Sequence, residues 1–164
     1  RFLHRSKWIA CGVAVLALMM LAGSFRGGPN YTQVERGLYV GGWVRRPPPG
    51  TRAVLNLGEA EDPYEAQVRR WEPIRDAGPA PSLQWLWRQV KFVDAQRRAG
   101  RTLYIHCYAG ISRGPMVAAA YLMYREGWSR DQALRYLRER RPMVRPNPAF
   151  MDLLRDWERW LDSE

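Results

Sequence analysis

Cysteine is scarce in this chain of 164 residues. There are two, Cys11 and Cys107, and only two histidines. One cysteine lies in an apolar run near the N-terminus and the other deep in the chain, so a disulfide framework does not organise the fold. No group of His, Cys, Asp and Glu has metal-ligand spacing, so neither a metal nor another cofactor is expected. Internal repeats are missing too. Acidic residues are outnumbered, 16 Asp+Glu against 26 Lys+Arg, and nearly all the bases are arginine. Such a surface attracts nucleic acid, anionic lipid or acidic phosphosubstrates. The arginines are scattered and no interleaved aromatic motif accompanies them, so nucleic acid is not an expected partner.

Charge is absent from Trp8 to Phe25, WIACGVAVLALMMLAGSF, which follows Arg1, Arg5 and Lys7. As a helix this run would be about 27 Å long, close to the hydrocarbon core of about 30 Å. Residues 1–25 are therefore expected to be one hydrophobic helix serving as a single-pass N-terminal membrane anchor, with residues 8–25 in the bilayer. The alternative is a secretory signal cut near Ala22-Gly23-Ser24, which would release a secreted or periplasmic domain. The basic tail favours a cytoplasmic N-terminus and an external domain, although Arg26, Arg36, Arg45 and Arg46 weigh against it. Residues 26–30, rich in Gly and Pro, read as a linker, and residues 31–164 as the folded domain.

Within that domain strands and helices alternate. Leu38 to Val40 reads as a strand closed by Gly41-Gly42, and Ala53 to Leu57 as another. Asp62 followed by Pro63 has the form of an N-cap with proline at the first helical position, predicting a short helix over Tyr64 to Trp71. Glu72 to Ile74 reads as a brief strand entering an irregular loop from Arg75 to Pro81. Ser82 caps a helix to about Ala99, with Leu83, Leu86, Val90 and Val93 on one face and Gly100 as its stop. Thr102 to Ile105 is a buried strand, followed after a loop by an apolar helix from Pro115 to about Glu126. Ser129 and Gln132 form a capping box for a helix to Arg140. Asn147-Pro148 opens a last helix, with Phe150, Leu153, Leu154, Trp157 and Leu161 on its apolar face. This order predicts an α/β domain with a mostly parallel central sheet flanked by helices and covered on both sides. Ligands of such sheets bind beyond the carboxyl ends of the strands.

The loop after Ile105 lies at such an end and reads His106-Cys107-Tyr108-Ala109-Gly110-Ile111-Ser112-Arg113. Backbone N–H groups in a tight loop at a helix N-terminus point inward and bind oxyanions. A thiol placed there beside an arginine is set up to react as a thiolate. The planar fork of Arg113 suits bidentate contact with phosphate, and Ser112 can donate a hydrogen bond to sulfur. Residues 108–113 are thus the candidate phosphate-binding positions, with Cys107 as the nucleophile.

With these residues the chain resembles the cysteine-dependent protein phosphatases, specifically the compact dual-specificity branch, whose pattern H-C-x-x-G-x-S-R is met by His106, Cys107, Gly110, Ser112 and Arg113. The resemblance extends from about Tyr31 to Leu161. It implies hydrolysis of phosphate monoesters through a phosphocysteine, without a cofactor. It also implies an Asp acid about thirty residues before the cysteine; Asp76, in the irregular loop, matches. Asp94 is the rival but belongs to a helix, and Asp62 is accounted for as a cap. His106 is expected to orient the loop. Gly114 and Pro115 depart from the family's commoner residues after the arginine. The variable positions Tyr108 and Ile111 carry no cation where inositol-lipid phosphatases usually place lysine. A phosphoprotein substrate is therefore expected, with a phosphoinositide or other lipid phosphate as the alternative. A phosphate-binding pseudophosphatase scaffold is the reading from another class.

Overall fold

The computed structural model describes residues 28–164. The anchor expected over residues 8–25 lies outside them, and among the described residues no helix is long and apolar enough to cross a membrane. Five strands form one sheet: β1 (Tyr31–Glu35), β2 (Leu38–Gly41), β3 (Thr51–Asn56), β4 (Val68–Trp71) and β5 (Thr102–His106), in the order β1-β2-β5-β3-β4. The pairs β2·β5, β5·β3 and β3·β4 are parallel, and β1 adds an antiparallel edge. The sheet is therefore mixed and mostly parallel.

Among the described residues there are four helices: α1 (Leu83–Arg98), α2 (Arg113–Glu126), α3 (Arg130–Arg140) and α4 (Pro148–Ser163). Their starts obey the cap signals in the sequence. Ser82 accepts from Trp85 N–H, Ser129 and Gln132 close a capping box, and Asn147 accepts from Phe150 N–H. Helix α2 is buried along most of its length, and α1, α3 and α4 pack around it. On α4, Phe150, Leu153, Leu154 and Trp157 face this core. Burial contributes about 1.5–3 kcal/mol for each such side chain.

Two expectations are corrected. The segment Tyr64 to Trp71 is not a helix; its second half is β4, with Ala53 to Asn56 opposite Val68 to Trp71. Burial along β4 alternates residue by residue, the period of a strand. Tyr64, Val68 and Trp71 do stand at helical spacing, but Pro73 closes the stretch and pairing with β3 outweighs both this short pattern and the local cap signal. The brief strand expected over Glu72 to Ile74 is replaced by two single contacts, Glu72 N–H to Asn56 O at 2.9 Å and Ile74 N–H to Leu57 O at 3.2 Å.

The two faces of the sheet are covered differently. Leu103 and Ile105 enter the core shared with the helices, whereas Tyr104 and His106 alternate to the other side. Irregular chain covers that side: the Tyr104 hydroxyl donates to Gly42 O, and His106 lies against Asp62.

Candidate active site

Strand β5 ends at His106, and the chain turns through Cys107 to Ser112 before α2 begins at Arg113. Cys107 is buried. Four consecutive carbonyls of this turn are tied to donors outside it. Tyr108 O accepts from Trp43 N–H at 2.8 Å, and Ile111 O from Arg145 N–H at 2.8 Å. Ala109 O accepts from Asn30 Nδ2 at 3.2 Å and Arg141 Nη2 at 3.1 Å, and Gly110 O from Arg141 Nε at 2.8 Å. Within a trans peptide the C=O and the following N–H point in opposite directions. Holding these carbonyls outward therefore turns the N–H groups of Ala109, Gly110, Ile111 and Ser112 inward, as an oxyanion cradle.

Gly110 has a φ of 70°, in the left-handed region, and a Cβ there would run into Gly41 and Arg141. The cradle is also packed from behind by Gly42, where a Cβ would stand 2.6 Å from Tyr108 O.

Arg113 lies at the edge of the cradle with 6% of its surface exposed. Its Nη1 donates to Ile74 O at 3.0 Å and stands 2.8 Å from Glu59 Oε1. Its Nε is buried and has no partner among the described residues. A buried guanidinium N–H left unpaired calls for an acceptor, and a phosphate oxygen supplies one. The hydrogen bond from Arg113 holds the Glu59 carboxyl below the usual carboxylate range.

Asp76 is exposed, in the irregular loop that follows Ile74, and its Oδ1 accepts from Asn147 Nδ2 at 2.9 Å. Ser112 Oγ accepts from Asn147 N–H at 2.9 Å, which leaves the hydroxyl proton free to be donated. The structure thus connects the candidate acid with the candidate hydroxyl through one residue. Asp94, the rival acid, sits on α1 with its carboxylate 2.8 Å from Arg98, where it serves the helix.

Asp62 needs correction. It caps no helix; its carboxylate is buried, with Oδ1 2.9 Å from His106 Nε2, close but not aligned as a hydrogen bond. The other ring nitrogen, Nδ1, lies 3.2 Å from Cys107 O. His106 is wholly buried and stacked on Tyr104. It therefore braces the turn from below, away from the mouth.

The sequence reading missed Arg141, Asn30, Glu59 and the second role of Asn147. Arg141 is 3% exposed and donates to Gly110, Ala109, Asn30 Oδ1 at 2.6 Å and Thr32 Oγ1 at 3.2 Å. Burial pushes its guanidinium below its ordinary range, against the opposing pull of Tyr104 and Cys107. Nothing local marks it among so many arginines. Gly41-Gly42 did carry a signal, since paired glycines at a strand end indicate close backbone approach.

The motif, the cradle and the unpaired Arg113 edge stand together on one strand-loop-helix. Residues 50–160 match the family model of the dual specificity phosphatase catalytic domain. The chain belongs to the dual specificity phosphatase family. It is 35% identical over 92 residues to human Dual specificity protein phosphatase 16, covering 56% of this chain and 14% of that one, so it spans a small part of this relative. Its fold matches the crystal structure of human DUSP28, with a TM-score of 0.74 and 24% identity over 80% of this chain and 98% of that one. PTPMT1 in complex with PI(5)P has a TM-score of 0.73 and 19% identity, over 81% and 97%. At these identities the structural likenesses show the fold.

Proposed function

We propose that the chain hydrolyses phosphate monoesters on phosphotyrosine and/or phosphoserine/threonine proteins through a phosphocysteine. The observation that carries this is the row of four carbonyls, Tyr108 to Ile111, turned outward so that the following N–H groups converge above Cys107. That geometry suits the equatorial oxygens of a phosphoryl group in transfer, and preorganised donors of this kind supply large rate gains.

The reaction has two steps. Cys107 Sγ attacks phosphorus, the S–P bond forms as the P–O bond to the leaving group breaks, and Asp76 gives its proton to the leaving oxygen. Arg113 and the loop amides hold the phosphoryl oxygens throughout. Water then attacks phosphorus, Asp76 takes a proton from it, the S–P bond breaks, and Ser112 donates a hydrogen bond to the departing sulfur. Inorganic phosphate leaves.

A phosphoprotein substrate is favoured by Tyr108 and Ile111, exposed beside the cradle and without positive charge for a multiply phosphorylated headgroup. The full reading also includes residues 8–25 as a membrane anchor, drawn from their lack of charge. It is tested by the retention of full-length chain in washed membranes, and its release by carbonate would reject it.

The function itself is tested with the full chain and p-nitrophenyl phosphate. Wild type is expected to turn over, while Cys107→Ser loses activity by at least about 10⁴-fold, the residue being the nucleophile. Phosphate binding without turnover in the wild type would replace the enzyme with a pseudophosphatase. Activity on phosphoinositide vesicles but not on phosphopeptides would move the substrate to lipid.

A further inference from the structure

Asp76 is the least supported member of the catalytic set by its own surroundings. It is exposed on a Pro- and Gly-rich loop from Arg75 to Pro81 that belongs to no helix or strand. Loops of this composition do not hold a carboxyl within the short range that proton transfer needs unless something outside them does. One residue is placed to do so. Asn147 begins α4, a 16-residue helix seated on the core by Phe150 and Trp157. Its side-chain Nδ2 donates to Asp76 Oδ1 at 2.9 Å, while its Oδ1 accepts from Phe150 N–H at 3.0 Å and so caps the helix. Its backbone N–H donates to Ser112 Oγ at 2.9 Å.

Every hydrogen-bonding group of this residue is therefore committed, the backbone carbonyl accepting from Met151 N–H at 3.0 Å in the first turn of the helix. The Asp76 loop meets α4 again at Gly78, where an added Cβ would lie 3.6 Å from Ala149 Cβ. It is also tied at its start, where Arg113 Nη1 donates to Ile74 O. Asn147 is the one contact among these that reaches the carboxylate itself.

We infer that Asn147 is a positioning residue that locks the Asp76 carboxyl in register with Ser112, joining the group that protonates the leaving oxygen to the group that stabilises the departing sulfur. The inference rests on the assignment of Asp76 as the acid. The Asn147 amide does not touch substrate. It fixes the distance and orientation of the acid relative to the phosphoryl cradle by referring both to the first turn of α4. The two ends of the reaction are thereby anchored to a single rigid point, while the loop carrying Asp76 stays open to solvent.

The test must separate positioning from helix capping, since removing the side chain altogether disturbs both. Serine is also a good N-cap. Asn147→Ser keeps an acceptor for Phe150 N–H and the backbone donor to Ser112, and deletes only the bond to Asp76. The full chain carrying Asn147→Ser is compared with wild type, Asp76→Asn and the double variant, using kcat/KM for phenyl phosphate and for p-nitrophenyl phosphate. Phenolate leaves poorly and needs the acid; p-nitrophenolate needs it less. Asn147→Ser is expected to lower kcat/KM for phenyl phosphate about 10-fold, part of the 10²–10⁴-fold that a placed acid supplies, and for p-nitrophenyl phosphate less than about 3-fold. In the Asp76→Asn background Asn147→Ser is expected to have no further effect on phenyl phosphate, as groups acting as one unit do. An equal loss on both substrates, or full additivity with Asp76→Asn, would reduce Asn147 to a helix cap and overturn the inference. A different failure is visible in the same data. If Asp76→Asn itself leaves the two substrates equally affected, the acid assignment falls and the inference with it. Thermal unfolding of Asn147→Ser close to that of wild type confirms that the cap has survived, and Asn147→Asp, also a good cap, repeats the test with an acceptor facing Asp76.

Discussion

The phosphate cradle is held in different ways on its two sides. Toward β1 a buried cation does it: Arg141 donates to the carbonyls of Ala109 and Gly110 and is itself held by Asn30 and Thr32. Toward α4 a neutral residue does it: Asn147 N–H donates to Ser112 Oγ, and its side-chain amide reaches the exposed Asp76 carboxylate. The cradle's N–H groups must point at the transition state before substrate arrives, so their support is rigid, charged and dry. In the proposed mechanism Asp76 exchanges protons with a leaving group and then with water, a duty that suits its open loop and the one amide bond that guides it. Rigidity sits where charge is stabilised, and access where protons move.

The largest effect that would break this contrast comes from Arg141. Arg141→Met keeps much of the volume and leaves the carbonyl oxygens of Ala109 and Gly110 without their guanidinium donors. An unsatisfied buried polar group costs about 1–3 kcal/mol, so a loss of about 3 kcal/mol is expected, on the order of 10 °C in Tm. The cradle amides lose their orientation, and kcat/KM falls about 100-fold, alike for phenyl and p-nitrophenyl phosphate. This uniform loss is the opposite of the leaving-group dependence expected of Asn147→Ser. If Arg141→Met discriminated between the two substrates, the two sides would not have separate duties. Arg141→Lys is expected to recover little, because one ammonium cannot bond both carbonyls in the guanidinium's plane.

A smaller effect tests the same wall through packing alone. Gly42→Ala places a Cβ 2.6 Å from Tyr108 O and against the Asn30 amide. Both are groups of the cradle's outer wall, so the loop must move. Forced overpacking of this kind costs about 1–3 kcal/mol. Activity is expected to fall about 10-fold, again without preference for leaving group, and Tm by several degrees. Unchanged kinetics would show that the wall yields without disturbing the N–H groups.

These supports differ in how visible they were in the sequence. The cradle is contiguous, so Cys107, Gly110, Ser112 and Arg113 could be read in one pass. So could the caps Ser82, Ser129 with Gln132, and Asn147, because a cap is a local bond between residues two or three apart. Two Asx-Pro pairs make the limit clear. Asn147-Pro148 precedes an apolar stripe at helical spacing, Phe150, Leu153, Leu154 and Trp157, and a helix forms. Asp62-Pro63 precedes a shorter one, Tyr64, Val68 and Trp71, ended by Pro73; the chain runs on into β4, and the carboxylate turns inward to His106. A cap signal and a short stripe decide little where tertiary pairing offers an alternative. β1 was missed because its pairing with β2 is made across a short turn with no strong alternation to announce it. Arg141 and Asn30 reach the cradle from 32 and 79 positions away, and no local pattern encodes that. Asp76 was singled out by its offset from Cys107, while Asn147, which bonds its carboxylate, was read only as a cap.

The smallest expected effect lies between the two sides, at Glu59. Its carboxylate shares Arg113 Nη1 with Ile74 O, and it is 66% exposed, so the pair is weak and screened by solvent. The pair holds the carboxyl below its usual range. Its contribution is therefore present above the ordinary carboxylate pKa and is lost as pH falls through the lowered one. An incoming oxyanion competes with Glu59 for the same guanidinium. Glu59→Gln is expected to tighten competitive inhibition by sulfate about 2–3-fold at neutral pH, a change of under about 1 kcal/mol. The gap between variant and wild type should close as pH falls through the lowered range of Glu59, because protonation then does what the substitution did. Sulfate stays a dianion over this span, so the convergence reports the protein. A gap that persists at low pH would mean that Glu59 shapes the cradle instead of competing with its ligand.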